Sequence, residues 1–426
     1  MRRPSSNGFR IEAVFAGVYS SFWMGYAPLA GFLAVYLTYH GISDTSIGVT
    51  ASAIAMLTIG FQLAVSSFSD AHLSIPVKRI ILAVYFTILA LVTLLALIPL
   101  PVALMLVVFA LALSLSNTMP GLINAQILQF INSGQRVNIG WPRGTASIAY
   151  AFTAFYIGRL VENYSPSILM PLCLVITVFG VIIALMMPVP SRDEDEGAIP
   201  ALAEPIRKTS LRQMLAASPV LQLFLLSVIF MSAGQSNVAL FINRVVEHVG
   251  GNRADLGLAM AIQAGVEMPA FFLTPFLLRR FRARAILVLA LSAYLAKFTI
   301  LYVAGSRGGV YTAMAVSILA FGLFGVTSVY FVNDMVRVNE KVRAQALVAV
   351  SGSLAAIVNN LTSGWIVDNW GIERLNLVCM LLQAVAFTLM AACAWMQAKS
   401  EKRPMRPTPK PAAPARENNA ARDKNA

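Results

Sequence analysis

Apolar and polar positions do not alternate in stripes along this chain; they separate into long apolar runs divided by short polar stretches. A helix needs about 20 predominantly apolar residues to cross a hydrocarbon core about 30 Å thick. Runs of that length predict spans over roughly 11–38, 47–66, 80–98, 102–130, 138–158 and 167–188, then 219–242, 256–278, 285–304, 309–333, 344–366 and 373–396. Lipid offers no partner to unpaired backbone groups, so each span is expected to be a helix. The weak alternation of a porin strand is not seen. The first run is too long for the apolar core of a signal peptide, and no small-residue cleavage site follows it cleanly.

The polar stretches divide the chain. Residues 1–10 precede the first span, and 189–218 form the longest polar interval, acidic first and basic after. This linker separates two six-span halves, 11–188 and 219–396. The tail, 397–426, is rich in Pro, Ala, Asn and charge and is expected to be disordered. The halves echo one another. GISDTSIG (Gly41 to Gly48) returns as GGNRADLG (Gly250 to Gly257), and GRLVENY (Gly158 to Tyr164) returns as GWIVDNW (Gly364 to Trp370). The offsets are 209 and 206 residues, a register expected of transporters built from parallel repeats. The expected fold is therefore all-α and integral to the membrane, with twelve transmembrane helices in two pseudo-symmetric six-helix bundles.

Composition agrees. Of 426 residues, 58% are hydrophobic and 12% charged, about half the roughly 25% charge of soluble domains. The net charge of +13 is not spread evenly: 26 of the 32 Lys and Arg residues fall on the side of the N-terminus, five on the other, and Lys297 lies within a span. Cytoplasmic loops carry such an excess, so both termini and the linker are expected in the cytoplasm, with the chain in the inner membrane. The charge then requires no nucleic-acid partner. Cys173, Cys379 and Cys393 lie in apolar spans and read as small buried hydrophobes. His40, His72 and His248 lie in loops, which leaves no embedded histidine for a proton relay. Neither metal-ligand spacing nor a phosphate loop ending in Gly-Lys-Ser/Thr occurs. No metal, cofactor, catalytic constellation or built-in ATPase is expected, and the protein reads as a carrier rather than an enzyme.

Several segments resemble the major facilitator superfamily. SSFSDAHLSIPVKR (Ser66 to Arg79) is similar to a loosened form of its loop signature, with RRFRAR (Arg279 to Arg284) as the counterpart in the second half. GVEMPAF (Gly265 to Phe271), RGTASIAY (Arg143 to Tyr150) and FVNDM (Phe331 to Met335) resemble the lactose permease-like branch, particularly its sugar efflux transporters. The phenylpropionate permease-like branch shares several of these features. The resemblance covers residues 11–396 and implies a twelve-helix secondary transporter. It further implies that Arg143 binds the substrate and that Tyr150 stacks on it. The acidic partner that the branch carries on helix four is missing, with Asn124 or Gln126 in that neighbourhood. An amide cannot neutralise Arg143, so an acidic or partly anionic solute gains weight.

The residues themselves narrow the candidates. An ionisable side chain inside a bilayer costs about 2.5–3.5 kcal/mol on insertion scales and defaults to a functional role. Glu12, Glu162, Asp368 and Glu373 are excused as solvated span ends. Asp70 with Arg79, and Asp334 with Arg337, read as loop-gating or structural pairs at cytoplasmic helix ends. Glu267 lies 12 residues before Arg279 and Lys297 lies 13 after Arg284. At about 1.5 Å per residue they reach matching depths and are expected to form a proton-coupling or neutralising pair. Arg143 is buried by a length argument. If span five enters at Arg136, Arg143 sits roughly 10 Å inside, with Ser147 and Tyr150 on its face. Further amides are candidates for lining a cavity or bonding between helices: Asn117 and Asn124, Gln235 and Asn237, Gln263, Asn359 and Asn360. The stripe Tyr19, Trp23, Tyr26 reads first as packing, with Trp23 carried as a substrate contact. The sequence thus points to a monomeric secondary transporter of a small polar solute, sugar-like or a small organic acid. It is expected to be proton-linked, with its direction open; an aromatic acid importer or a non-transporting sensor is the alternative.

Overall fold

The computed structural model describes residues 6–72, 74–133, 140–189, 214–216, 218–336 and 340–401. Expectations for the first five residues, for most of the linker, for the tail beyond 401, and for Arg136 and Arg337 lie outside them, as does the side chain of Asp70. Among the described residues the chain is helical between its turns and contains no strand. In order come α1 (Ser6–Tyr26), a π-helical turn (Ala27–Gly31), α2 (Leu33–Tyr39), α3 (Asp44–Ala71), α4 (Val77–Leu97), α5 (Val102–Ser116) and α6 (Met119–Asn132). There follow α7 (Gly140–Asn163), α8 (Leu169–Leu185), α9 (Pro219–His248), α10 (Arg253–Arg280), α11 (Ala283–Val303), α12 (Arg307–Met335) and α13 (Lys341–Glu401).

Eight helical stretches among the described residues are long and apolar enough to cross a membrane. The protein is an all-α membrane protein. Three long rods, α1, α7 and α10, are not in that set, and all three contribute to the lining of the cavity described below. Their departures from the predicted spans have local causes. The first span is interrupted by the π turn, where Pro28 withholds a backbone donor. The fourth is broken at Asn117–Thr118, just before Pro120 at the start of α6. The last two spans join into one element, α13, kinked at Gly371, whose φ of 79° suits a residue without Cβ.

The repeats turn out to be a meeting place. Gly41 and Gly250, which match in the repeat, share a left-handed φ of 78° and 75°. The remaining repeat glycines pair across the halves of the chain, where α3 packs along α13 and α7 along α10. A Cβ on Gly48 would strike the Asn360 carbonyl, and one on Gly364 would strike that of Asp44. On the other seam, a Cβ on Gly158 would lie 2.6 Å from the Arg253 oxygen, and one on Gly257 2.5 Å from that of Ala154. Only glycine permits backbones this close.

Carboxylates reinforce this end of both seams. Asp368 accepts from the Asp44 and Thr45 backbone N–H groups at 3.2 and 2.7 Å, at the N-terminus of α3. Glu162 accepts from the Arg253 N–H at 3.0 Å, at the N-terminus of α10. Both residues are exposed at span ends, as expected, and each in addition caps a helix of the other half. Free N–H groups and the helix dipole make such a terminus attractive to a carboxylate. Arg244 adds an ion pair with Asp44 at 3.0 Å and one with Glu247. Glu373 meets His248 at 3.2 Å. We call this the clamped end, and the opposite one, where Lys78, Arg79 and Arg279 to Arg284 lie, the basic end.

Candidate functional site

Between α1, α6 and α7 on one side and α9, α10 and α12 on the other lies a cavity of about 530 Å³. On the first side, α7 presents Arg143, Ser147 and Tyr150 at helical spacing. The Arg143 guanidinium lies beside the Tyr19 hydroxyl, which donates to Asn124 Oδ1 at 3.2 Å. Trp23 meets Tyr26 and Tyr150 edge-on, with ring centroids 5.2 and 5.9 Å apart. Tyr26 donates to Asn117 Oδ1 at 3.0 Å, and Asn117 in turn donates to Thr58 at 3.1 Å. The π turn brings Ala30 and Gly31 to the wall; a Cβ on Gly31 would reach Met260 and the Tyr150 hydroxyl. A side chain there would thus close part of the space.

On the second side, α10 turns Met260, Gln263, Ala264 and Glu267 inward, one face by the i, i+3, i+4, i+7 rule. Glu267 and Lys297 do not form the direct pair expected from their depth. Helices α10 and α11 share few close approaches, because both pack along α12 instead. Gln263 fills the gap. Its Nε2 donates to Glu267 Oε1 at 3.2 Å, and Lys297 Nζ donates to its Oε1 at 3.5 Å. Lys297 is 1% exposed and lies outside the lining. The cavity therefore meets one cation from the first half, one carboxylate from the second, and a lysine held behind an amide.

Of the residues expected at the site, Trp23, Asn124, Arg143, Ser147, Tyr150, Gln263 and Glu267 line this cavity, as does Gln235. Four do not. Gln126 is buried against the Pro188 carbonyl, Asn237 donates to Cys379 Sγ, and Asn359 donates to the Ala233 carbonyl. Asn360 is buried beside Gly48 at the α3–α13 seam. The first three bond to other parts of the chain, and none of the four lines the space. Arg136, the expected entry point of span five, lies outside the described residues, and the described part of α7 begins at Gly140. The Arg143 side chain reaches Tyr19.

The proposed gating residues lie elsewhere: Arg79 is exposed, and Asp334 is exposed at the basic end of α12. The described contacts that close the molecule are those of the clamped end. Sequence reasoning undervalued Tyr19 and Tyr26 by reading their stripe as packing. The available signal was the pair of hydroxyls, since a buried tyrosine normally finds a polar partner.

The position of the cavity, between helices from opposite halves near the middle of α10, can now be set beside known proteins. The model of the MFS_1 like family matches residues 13–352. No curated protein matches the sequence. Among solved structures, a single-residue variant of the nucleoside transporter NupG aligns over 91% of this chain and 99% of its own, with TM-score 0.73 and 15% identity. A bacterial homolog of the human lysosomal transporter Spinster, inward-facing and unoccupied, aligns over 93% and 99% with TM-score 0.67 and 11% identity. An auto-inhibited POT family peptide transporter aligns over 95% and 99% with TM-score 0.68 and 10% identity. At these identities the structures speak for the fold, and the family match over most of the chain speaks for kinship. The chain belongs to the MFS_1 like family, within the secondary transporters of the major facilitator superfamily.

Proposed function

We propose that this protein moves a small polar solute, sugar-like or a small organic acid, across the inner membrane by alternating access, coupled to protons. In this reading twelve crossings form two six-helix bundles that rock about the cavity, with both termini on the cytoplasmic side and the monomer as the working unit. The observation that carries it is the facing of Arg143 and Glu267 from opposite halves across one cavity. A solute bridging them engages both bundles at once, which is what lets its binding bias their relative position. A proton on Glu267 raises the charge of the cavity by one unit and strengthens the hold of Arg143 on an acidic group. Proton and solute would then bind cooperatively.

The opening to the basic end is supported by the facing surfaces of α3 and α13. They touch at Ser52, whose hydroxyl donates to the Ile357 carbonyl at 2.8 Å. Further along the same faces Met56 and Leu63 are 54% and 65% exposed, as are Leu354 and Val350 at 58% and 59%. The edges of Trp23, Tyr26 and Tyr150 around Arg143 favour an aromatic acid as the second substrate reading.

The test begins with a thermal-shift screen of purified protein against sugars, small organic acids, aromatic acids and, from the NupG likeness, nucleosides. On the solute found, Arg143→Lys keeps the charge but loses the planar fork, and transport is expected to fall while the fold persists. Glu267→Gln is expected to abolish pH-driven accumulation while leaving solute exchange between equal pools. Unchanged pH dependence in Glu267→Gln would remove the coupling role. Normal affinity in Arg143→Ala would remove the binding role.

A further inference from the structure

A second cavity, of about 880 Å³, opens at the basic end of the C-terminal helices, apart from the one between the halves. Four arginines border it, Arg279 and Arg280 from the last turn of α10, Arg282 from the connecting turn, and Arg284 from the start of α11. Tyr330 and Asp334 from the end of α12 complete the rim that matters here. Arg279 and Arg280 bring two adjacent guanidinium groups to a rim where Asp334 is the one carboxylate among the lining residues. Arginine clusters of this kind suit an anion with several oxygens, because the planar fork grips phosphate through paired hydrogen bonds.

What lies beside the arginines narrows the anion. Phe276, Phe281 and Tyr330 are 64%, 50% and 55% exposed, and they stand where rods of membrane length emerge at their charged ends. Aromatic rings are enriched at that level of a bilayer. The ligand best matched to this place is anionic at one end and apolar at the other. The corresponding turn of the first half carries only Lys78 and Arg79, and Lys78 is engaged with the Leu185 carbonyl at 2.8 Å.

We propose that this cavity binds the phosphate of an anionic phospholipid, whose acyl chains lie against the apolar outer surface beside Phe276. Basic pockets between transmembrane helices hold acidic head groups in this manner. The lipid would strap α10, α11 and α12 together at one end, whatever solute the other cavity carries.

The test uses the full-length protein in detergent, with its melting temperature followed on addition of phosphatidylglycerol, phosphatidylcholine of the same chains, or inorganic phosphate. Phosphatidylglycerol is expected to raise the midpoint by several degrees and the other two to leave it in place. Arg279→Gln combined with Arg280→Gln should abolish that rise. Equal protection by phosphatidylcholine, or an undiminished rise in the variant, would overturn the proposal. Protection by inorganic phosphate alone would do so too, by pointing to a soluble phosphate compound. Should the variant not fold, native mass spectrometry of the unaltered protein decides: one retained anionic phospholipid supports the site, and retention of zwitterionic lipid only, or of none, refutes it.

Discussion

The two seams between the halves begin alike and end differently. At the clamped end each has a glycine pair and a carboxylate over a helix N-terminus: Gly48 with Gly364 and Asp368 on α3, Gly158 with Gly257 and Glu162 on α10. Toward the basic end they part company. The α7–α10 seam still meets at Gly144, where a Cβ would sit 3.6 Å from the Met268 methyl. Beyond Ser52 and Ile357 the α3–α13 seam carries exposed side chains, among them Met56 and Leu354. It also carries the additional ion pair from Asp44 to Arg244. In the proposed alternating-access reading, the α7–α10 seam would serve as the axis and the α3–α13 seam, joined at its clamped end, as the side that opens.

This contrast can be broken most severely at the glycines. Gly158→Leu drives a side chain into backbone on the α7–α10 seam, where overpacking costs about 1–3 kcal/mol or more and nothing can yield. A large loss of monodisperse protein is expected by size-exclusion chromatography. Gly48→Leu makes a comparable clash on the α3–α13 seam, and there the halves can relieve it by parting at the clamped end. The protein should fold, and a cysteine introduced at Val238 in the cavity should react faster with a membrane-impermeant thiol reagent added from that end. The native thiols are buried and contribute little background. Equal outcomes for the two substitutions would dispose of the axis-and-opening picture.

A smaller effect is expected from Asp44→Asn. The carboxylate is 7% exposed and faces Arg244, and a hydrogen bond to a charged group contributes about 1.5–3 kcal/mol. At about 1.4 kcal/mol per factor of ten, the closed-to-open ratio at that end should fall by about 10- to 100-fold, read by the same labelling rate. Asp368→Asn should shift it less, by the roughly 0.3–1 kcal/mol of a charge at a helix terminus. Glu162→Gln is the mildest, since the amide oxygen can still accept from Arg253. A Glu162→Gln effect as large as that of Asp44→Asn would mean that the seams share the load equally.

Much of this was legible in the sequence, for reasons that also explain where it stopped. Membrane spans announce themselves by length, and the repeat glycines mark positions where backbones converge. What they converge on was not legible. Gly48 and Gly158 recur at Gly257 and Gly364, but that each pairs with the opposite half follows only from how helices cross. Orientation about a helix axis was the weaker link. In rods that are apolar nearly all round, periodicity does not say which face turns inward. Gln235 faces the cavity while Asn237, two residues on, is turned to Cys379. The depth of Glu267 and Lys297 was read from chain length alone. The intervening α12, which leaves Gln263 to bridge them, is a fact of packing that no spacing encodes.

Helix α9 leaves its helical geometry at Phe241, with φ −112° and ψ 22°. Val238, Ala239 and Ile242 around this bend belong to the cavity wall, and Arg244, just beyond, holds the ion pair to Asp44. A carrier that crosses with its proton but without its solute dissipates the gradient that drives it. With the bend placed between the wall and the ion pair, a protonated cavity without solute would leave Arg244 seated. A solute crowding residues 238–242 bears on the same short stretch of backbone that positions the arginine. In the proposed proton-coupled cycle, leak and turnover would then be set by one joint, and substitutions at Phe241 should trade tightness of coupling against speed.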